Sequence, residues 1–584
     1  YGTLAPNRTG IPATQRVLTS LRAPIGREIM ATKSAELSSP MDTGLRQHVG
    51  LIGLAWASAG SIIGSGWLYG GLHSAQAAGS AAILSWIIGA VALMILAFVH
   101  AELGGMFPQA GGTGRYPHFA FGSVAGASFG WFAWLQAAAV APVEVLAVLG
   151  YGTVHVSWLT KTSPGGNFVP TWPQGYLLAA ALLAIFVAIN FLGVRWLAHT
   201  NSAATWWKLG VPVLAIIVIG ASNFHGSNFG SHGGFAPFGV HGIFAATASG
   251  AVIFALLGFE QAIQFGGESA NPKRDLPLAV IGSMIIGAII YILLEIVFIG
   301  ALPASSLKHG WANIAFANGA FAPWAGLATA VGIGWLATVL YIDALISPGG
   351  TGLIYVSSTA RMSYGLSKNG YVPSSLEKVD KRGVPWMSLF VAFVASLIFF
   401  LPSPTWQDQI NLITSATVLM YAGAPLAFGV MRSKHGDRPR PYRMPGGPIV
   451  SPIAFFIANC LIFFSGWTTV WKLGIAIVVG YVIIGANYLL KLNPRAPRLD
   501  WFAAQWIPFY LIGMGVLAWQ GTYLGGRGNL PFGWDFLVIA AFSFGIYYWA
   551  QMVSLPKEKT DEYIAAQAAT LQEVREVLGA DAAV

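Results

Sequence analysis

Long apolar stretches alternate with short polar connectors along most of the chain. A helix needs about 20 apolar residues to cross a bilayer. Stretches of that size run near 50–72, 80–106, 125–151, 175–194, 201–221, 242–265, 278–302, 324–347, 384–402, 409–431, 449–467, 470–490, 504–524 and 534–553. The divide between the eleventh and twelfth rests on a short, semi-apolar joint at Ser465–Lys472. The pattern predicts an all-α polytopic membrane protein of about 14 spans. Residues 1–48 are polar, without an apolar run of signal-peptide length, and are expected to be a disordered cytosolic segment. The chain opens on Tyr1, with Met30 and Met41 the expected candidates for its natural start. Residues 433–448 read as a Pro/Arg-rich cytosolic loop, and 556–584 as a cytosolic tail. Leu571, Val574, Val577 and Leu578 share one helical face, so Lys559–Leu578 forms either an amphipathic helix or a solvated tail.

Composition agrees with this pattern and excludes its rivals. Of 584 residues, 55% are hydrophobic and only 9% charged, against about a quarter charged in soluble domains. That is too little charge to cover a cytosolic enzyme, a secreted scaffold or a disordered regulator. A single cysteine, Cys460, excludes an internal disulfide or a cysteine metal cluster. The net charge is +9. With the N-terminus inside, 26 of the 31 Lys and Arg residues fall on the cytosolic side. Lys161, Lys308, Lys472 and Arg527 lie outside, and Lys208 lies within a span. This distribution obeys the positive-inside rule and puts both termini in the cytoplasm. The basic balance therefore answers to anionic lipid, not nucleic acid. His225, His232 and His241 share one loop at no ligand spacing, so no metal site is expected.

Membrane helices break where function sits, because unwound backbone is tolerated only where it lines a cavity. Span 1 carries Gly64-Ser65-Gly66 mid-span, in Gly60-Ser-Ile-Ile-Gly-Ser-Gly-Trp67. Glycine loses the most backbone freedom in a helix, so this is a natural point of unwinding. Freed N–H groups there would face a carboxylate. A Gly60/Gly64 packing face is the alternative reading. Span 6 carries Gly258 followed by Glu260, and a break there would free the carbonyls of Phe254, Ala255 and Leu257 for an ammonium group. Breaks five spans apart are the signature of an inverted five-plus-five repeat with its substrate between the halves. Together they describe a site for an α-amino acid. The organisation expected is a transporter core at 49–432, made of repeats at about 49–222 and 242–432, and four accessory spans at 449–555.

These residues carry a resemblance. Ile63-Gly64-Ser65-Gly66, Ala101-Glu102-Leu103-Gly104, Phe107–Gly112 and Gly267–Pro277 (Gly-Glu-Ser-Ala-Asn-Pro-Lys-Arg-Asp-Leu-Pro) are similar to the amino acid–polyamine–organocation permeases over roughly residues 47–555. Gly112–Pro117, Leu307–Trp311, Trp335–Thr338, Ile342–Gly350 and Ala541–Ala550 support it. The resemblance implies a leucine-transporter-like core in spans 1–10 plus four more helices. It also implies proton-coupled import of an amino acid, with aspartate favoured, by a multi-pass cell-membrane protein without a cofactor. Substrate contacts are expected from Ser61, Ile63, Gly64, Ser65, Gly66, Phe254, Ala255 and Leu257.

Ionisable groups within spans are functional candidates by default. Lys208 leads. The resemblance implies that its ammonium stands where sodium-coupled relatives bind sodium, bridging span 1 carbonyls and span 8, so that proton loss would loosen the two. Snorkelling to the cytosolic face is the alternative. Glu144, mid-span 3, is either a second proton or substrate contact, or a structural hydrogen-bonding group. Asp343, placed toward the cytosolic half of span 8, and Glu295 read as structural. Glu102 and Glu260 read as gate or loop partners near cytosolic span ends, and Ser358 or Thr359 as a hydroxyl facing Lys208. No arginine falls within a span to receive a second carboxylate, so the residues themselves specify an amino acid and only the resemblance specifies aspartate. An amino acid exchanger or a polyamine permease would use the same breaks. The sequence shows neither the nucleophile–base cluster of an enzyme nor the repeated pore loop of a channel.

Overall fold

The computed structural model describes residues 49–108, 113–163, 167–191, 194–249, 251–266, 269–316, 321–380, 384–401 and 404–566, with side chains described from 204 in the fifth span. The expected disorder of 1–48, Gln109–Gly112, Gly267, Glu268 and the apolar face of the tail beyond 566 lie outside these residues.

All fourteen apolar stretches form helix. Span 1 is α1 (Leu51–Ile62) and α2 (Ser65–Ala78); spans 2 to 5 are α3 (Ala82–Met106), α4 (Tyr116–Thr153), α5 (Gln174–Phe191) and α6 (Val194–Ser222). Span 6 falls into α7 (Gly239–Ser249), α8 (Val252–Leu256) and α9 (Glu260–Gln264), and span 7 is α10 (Pro272–Ala301). A short α11 (Pro323–Ala330) precedes span 8, α12 (Gly334–Lys368). Spans 9 to 12 are α13 (Trp386–Phe399), α14 (Trp406–Lys434), α15 (Gly447–Phe464) and α16 (Trp467–Leu489). Span 13 is α17 (Trp501–Ala504) with α18 (Trp506–Gln520), and span 14 is α19 (Trp534–Val553). Among the described residues, eleven helices are long and apolar enough to cross a membrane. Spans 1 and 6 miss that length because they are interrupted, and span 9 because α13 has 14 residues. The only sheet among the described residues is an antiparallel pair, β1 (Thr160–Thr162) with β2 (Phe168–Pro170), in the loop after span 3.

Local chemistry sets several boundaries. Pro272 and Pro323 open α10 and α11, where a missing N–H costs nothing. Thr405 caps α14, its hydroxyl accepting from the Asp408 N–H at 3.0 Å. The joint after α15 is real: that helix ends at Phe464, and Gly466 at φ 77° turns the chain into α16.

Span 8 departs from expectation. The apolar run near 324–347 is α11 plus only the first part of α12, and the helix continues through Pro348-Gly349-Gly350 to Lys368. Neighbouring spans pack along α12 and hold it helical where its own sequence would end it. Asp343 therefore lies in the first third of span 8, on the extracellular side.

Within spans 1–10, four of the five pairs numbered five apart pack together. The first half of span 1 meets the last piece of span 6, and its second half meets α8. Spans 2 and 7, 3 and 8, and 4 and 9 pair likewise. Spans 11, 13 and 14 share a buried polar ladder, in which Tyr510 donates to Asn459 Oδ1 (2.7 Å) and Asn459 donates to Ser543 Oγ (2.8 Å).

The cytosolic face is laced by ions. Glu102 accepts from Arg432 (2.6 Å), Arg440 (3.1 Å) and the Met444 N–H (2.7 Å), strapping the loop after span 10 to span 2. Residues 557–566 are helical. Tyr563 and Lys559 donate to Asp500, which also accepts from the Ser123 N–H at the start of span 3 (3.0 Å). Burial pushes the Asp500 carboxyl up, but the hydrogen bonds from Lys559, Tyr563 and Ser123 outweigh it and hold the group below its usual range.

Candidate functional site

Both expected breaks exist. Span 1 loses helical geometry at Ile63 (φ −94°, ψ 90°) and Gly64 (φ −123°, ψ −141°). Span 6 loses it twice, at Ala251 (φ 71°) and across Leu257–Gly258, where Gly258 has φ 127°. Only glycine adopts that last conformation without strain. A side chain at Gly258 would also strike the span 1 backbone, with a Cβ 2.8 Å from Ile62 N and 2.9 Å from Ser61 C. A Cβ on Gly66 would lie 2.8 Å from Ala255 Cα. Two small residues thus let the breaks touch.

Between them is a narrow hollow lined by Ser61, Ile62, Gly64 and Gly66 of span 1 and by Phe254, Ala255 and Leu257 of span 6. Spans 3, 8 and 10 close it with Gln136, Val140, Glu144, Thr351, Tyr355 and Ile413. Six of the eight expected substrate contacts line it. Ile63 and Ser65 are buried beside it. The Ser65 hydroxyl accepts from Trp406 Nε1 (3.1 Å), and the Trp406 ring packs against Phe254 and Tyr69.

The freed backbone is only partly committed. The Ser65 N–H donates to Glu144 Oε2 at 2.9 Å, so a carboxylate from span 3 occupies the position expected for a substrate's. The N–H groups of Gly64, Gly66 and Trp67 have no acceptor among the described residues. On the other side Phe254 O accepts from the Leu257 N–H (3.2 Å), while Ala255 O and Leu257 O accept from nothing among the described residues. The expectation of three free span 6 carbonyls therefore narrows to two, because Phe254 O closes a turn. Donors on one rim and acceptors on the other suit a zwitterion.

Lys208 is fully buried and does not reach the cytosolic face. Its ammonium donates to Gly60 O in span 1 and to Thr351 Oγ1 in span 8 (2.6 Å). The hydroxyl facing it is thus Thr351. Ser358 instead donates to Gln261 Oε1 (3.3 Å), and Thr359 donates to the Tyr355 carbonyl (2.7 Å). Lys208 stands behind the hollow rather than in it, one hydroxyl away from the wall. A Cβ on Gly64 would meet Glu144 Oε1 at 2.7 Å and Thr351 Oγ1 at 3.0 Å, so these groups crowd the span 1 break.

Glu260 is not at a cytosolic end. It opens α9 inside the protein and accepts from the Gly258 N–H (3.0 Å), Tyr355 (3.1 Å) and Tyr421, fixing the span 6 break from below. Tyr291 donates to Ile62 O (2.9 Å) and does the same for span 1. Ser58 Oγ donates to Phe259 O (2.9 Å) and accepts from the Ala262 N–H (3.0 Å), tying the two cytosolic half-helices. Asp343 accepts from Trp67 Nε1 (3.0 Å) and Ser347 (2.7 Å), and Glu295 from Ser74 (3.0 Å) and Trp86 (3.1 Å). Nothing in the sequence pattern marks Trp406, Thr351, Tyr291 or Gln136. Each lies far along the chain from the breaks, and only packing brings it there.

Interrupted spans that enclose a hollow with opposed donors and acceptors define a membrane carrier. Residues 49–470 match the family model described as "Amino acid permease". The glutamate/serine transporter AimA of Bacillus subtilis (strain 168) is 35% identical over 509 residues, covering 87% of this chain and 94% of the relative. The aspartate-proton symporter of the same organism is 34% identical over 518 residues, covering 88% and 98%. The human cationic amino acid transporter 4 is 28% identical over 78% of this chain and 75% of its own length. The chain belongs to the amino acid permease family. It is a multi-pass cell-membrane transporter of amino acids, not an enzyme.

Proposed function

We propose that this transporter imports an amino acid together with protons by alternating access. Residues 49–432 form its moving core, spans 11–14 an accessory layer. The observation that carries the reading is the pair of breaks held between Lys208 and Glu144. The substrate's carboxylate takes the span 1 N–H groups and its ammonium the carbonyls of Ala255 and Leu257. Glu144 holds the Ser65 N–H most strongly while ionised, because a protonated carboxyl is a weaker acceptor. Protonation of Glu144 weakens that hold and lets the substrate carboxylate compete for the N–H, so cargo and proton enter together. Lys208 couples the second event. Charged, it ties Gly60 of span 1 to Thr351 of span 8; neutral, it holds them less strongly, and span 1 is free to move.

Aspartate, favoured by the resemblance, and the glutamate and serine named for a relative are the first substrates to test. The full chain in proteoliposomes should accumulate at least one of them under an imposed inward proton gradient, and uncoupler should abolish accumulation. Lys208→Ala should lose gradient-driven uptake and retain expression. Uptake that requires internal amino acid and ignores the gradient would replace this reading with exchange.

A further inference from the structure

The zwitterion accounts for the breaks but leaves one end of the hollow unexplained. Gln136, Val140 and Glu144 fall at i, i+4 and i+8 of span 3 and form one stripe along it. At 1.5 Å per residue the stripe runs about 12 Å, from the level of the span 1 break toward the cytosol. Thr351 and Tyr355 follow the same direction along span 8, one turn apart. The lining of the hollow therefore reaches from the span 1 break, at the level of Glu144, to the level of Gln136.

The polar side chains along it are nearly all committed. Ser61 donates to Ala57 O (2.9 Å), Thr351 accepts from Lys208, Tyr355 donates to Glu260, and Glu144 caps Ser65. Gln136 is the exception. It is 0% exposed and its amide lies beside the Tyr355 hydroxyl, yet neither Nε2 nor Oε1 makes a well-aligned hydrogen bond among the described residues. A buried amide whose hydrogen-bonding capacity is left largely unused is destabilising unless something fills the site. Its flank is apolar, with Val140 and Ile413 as walls.

Resting on the reading of this hollow as an amino acid site, we propose that Gln136 recognises the end of an extended, uncharged polar side chain, of which the amide of glutamine is the pattern. An amide matches an amide: each supplies a donor and an acceptor. A carboxylate offers acceptors only and would leave Gln136 Oε1 unpaired beside a negative charge. A hydroxyl on a short side chain ends two bonds nearer the substrate Cα and falls short of Gln136. The apolar walls suit the methylene groups between head and tip.

The test compares uptake of labelled glutamine, methionine and glutamate at pH 7.5 by the full chain in proteoliposomes. Methionine has similar length without the polar tip, and so reports that the site is folded and binds the zwitterion. Wild type should favour glutamine over both others. Gln136→Leu should lower the glutamine-to-methionine ratio at least tenfold while methionine uptake persists. Gln136→Met serves as a second variant if the branched side chain disturbs packing. An unchanged ratio, equal loss of both substrates in both variants, or preferred uptake of glutamate by the wild type would overturn the assignment. If wild type accumulates no amino acid, the reading of the hollow itself falls, and this assignment with it.

Discussion

Gly258→Ala tests the meeting of the two breaks with a single methyl group. The substitution acts twice. It places a Cβ on a residue at φ 127°, a conformation that costs a non-glycine residue about 1–3 kcal/mol. It also puts that Cβ 2.8 Å from Ile62 N and 2.9 Å from Ser61 C, where carbon contacts normally settle at about 3.5–4.0 Å. The obstacles are backbone atoms, which cannot swing aside as a side-chain tip would. Taking about 2 kcal/mol against the touching arrangement, the population able to bind falls ~30-fold. The assay is initial-rate uptake of labelled substrate in proteoliposomes at matched protein density. Gly282→Ala is the control. It sits in the span 7 helix with nothing within 4 Å of its would-be Cβ, and it should leave uptake unchanged while adding roughly 0.5–1 kcal/mol of stability. Wild-type uptake by Gly258→Ala would show that the contact between the breaks is not needed for transport, and would refute the site as described.

Other outcomes follow from the same geometry. Glu144→Gln keeps a neutral acceptor for Ser65 but cannot ionise, so uptake should lose its pH dependence; an unaltered profile would return Glu144 to a structural role. Trp406→Phe retains the ring over Phe254 and Tyr69 but removes the donor to Ser65, a loss of about 0.5–1.5 kcal/mol. Bound substrate should dissociate roughly 2- to 12-fold faster, measurable by dilution of preloaded protein. Asp500→Asn should release residues 557–566, seen as faster amide hydrogen exchange there, at a cost of about 1 kcal/mol allowing for solvent screening. Because the Asp500 carboxyl is held below its unfolded value of about 3.9, its contribution is complete above that pH. It is lost as pH falls through the lower folded value, so the wild-type tail should also loosen in acid.

The sequence carried the spans well because the bilayer demands long apolar runs, and the breaks because three small residues in span 1 and a Gly–Phe–Glu run in span 6 conflict with continuous helix. Span 8 was harder to read. Its Pro348-Gly349-Gly350 run signals an end, yet packing against span 3 keeps it helical to Lys368. That continuation decides which hydroxyl meets Lys208, and places Thr351 there rather than Ser358 or Thr359. Burial of Lys208 rather than snorkelling also depends on span 8, whose Thr351 accepts from its ammonium. Gln136 and Trp406 carry no local signal at all, since an isolated polar or aromatic residue in an apolar span looks like any other until its neighbours are known.

If the hollow binds an amino acid as proposed, the hydrogen bond between Glu144 and the Ser65 N–H means that the protein carries its own tenant in the seat meant for cargo. An arriving amino acid must evict it, so any measured affinity is a difference between two carboxylates rather than the grip on one. In the proposed proton-coupled cycle, unloading then has a ready trigger: once the resident acid regains its charge on the side of low proton concentration, it reclaims the seat and the passenger leaves.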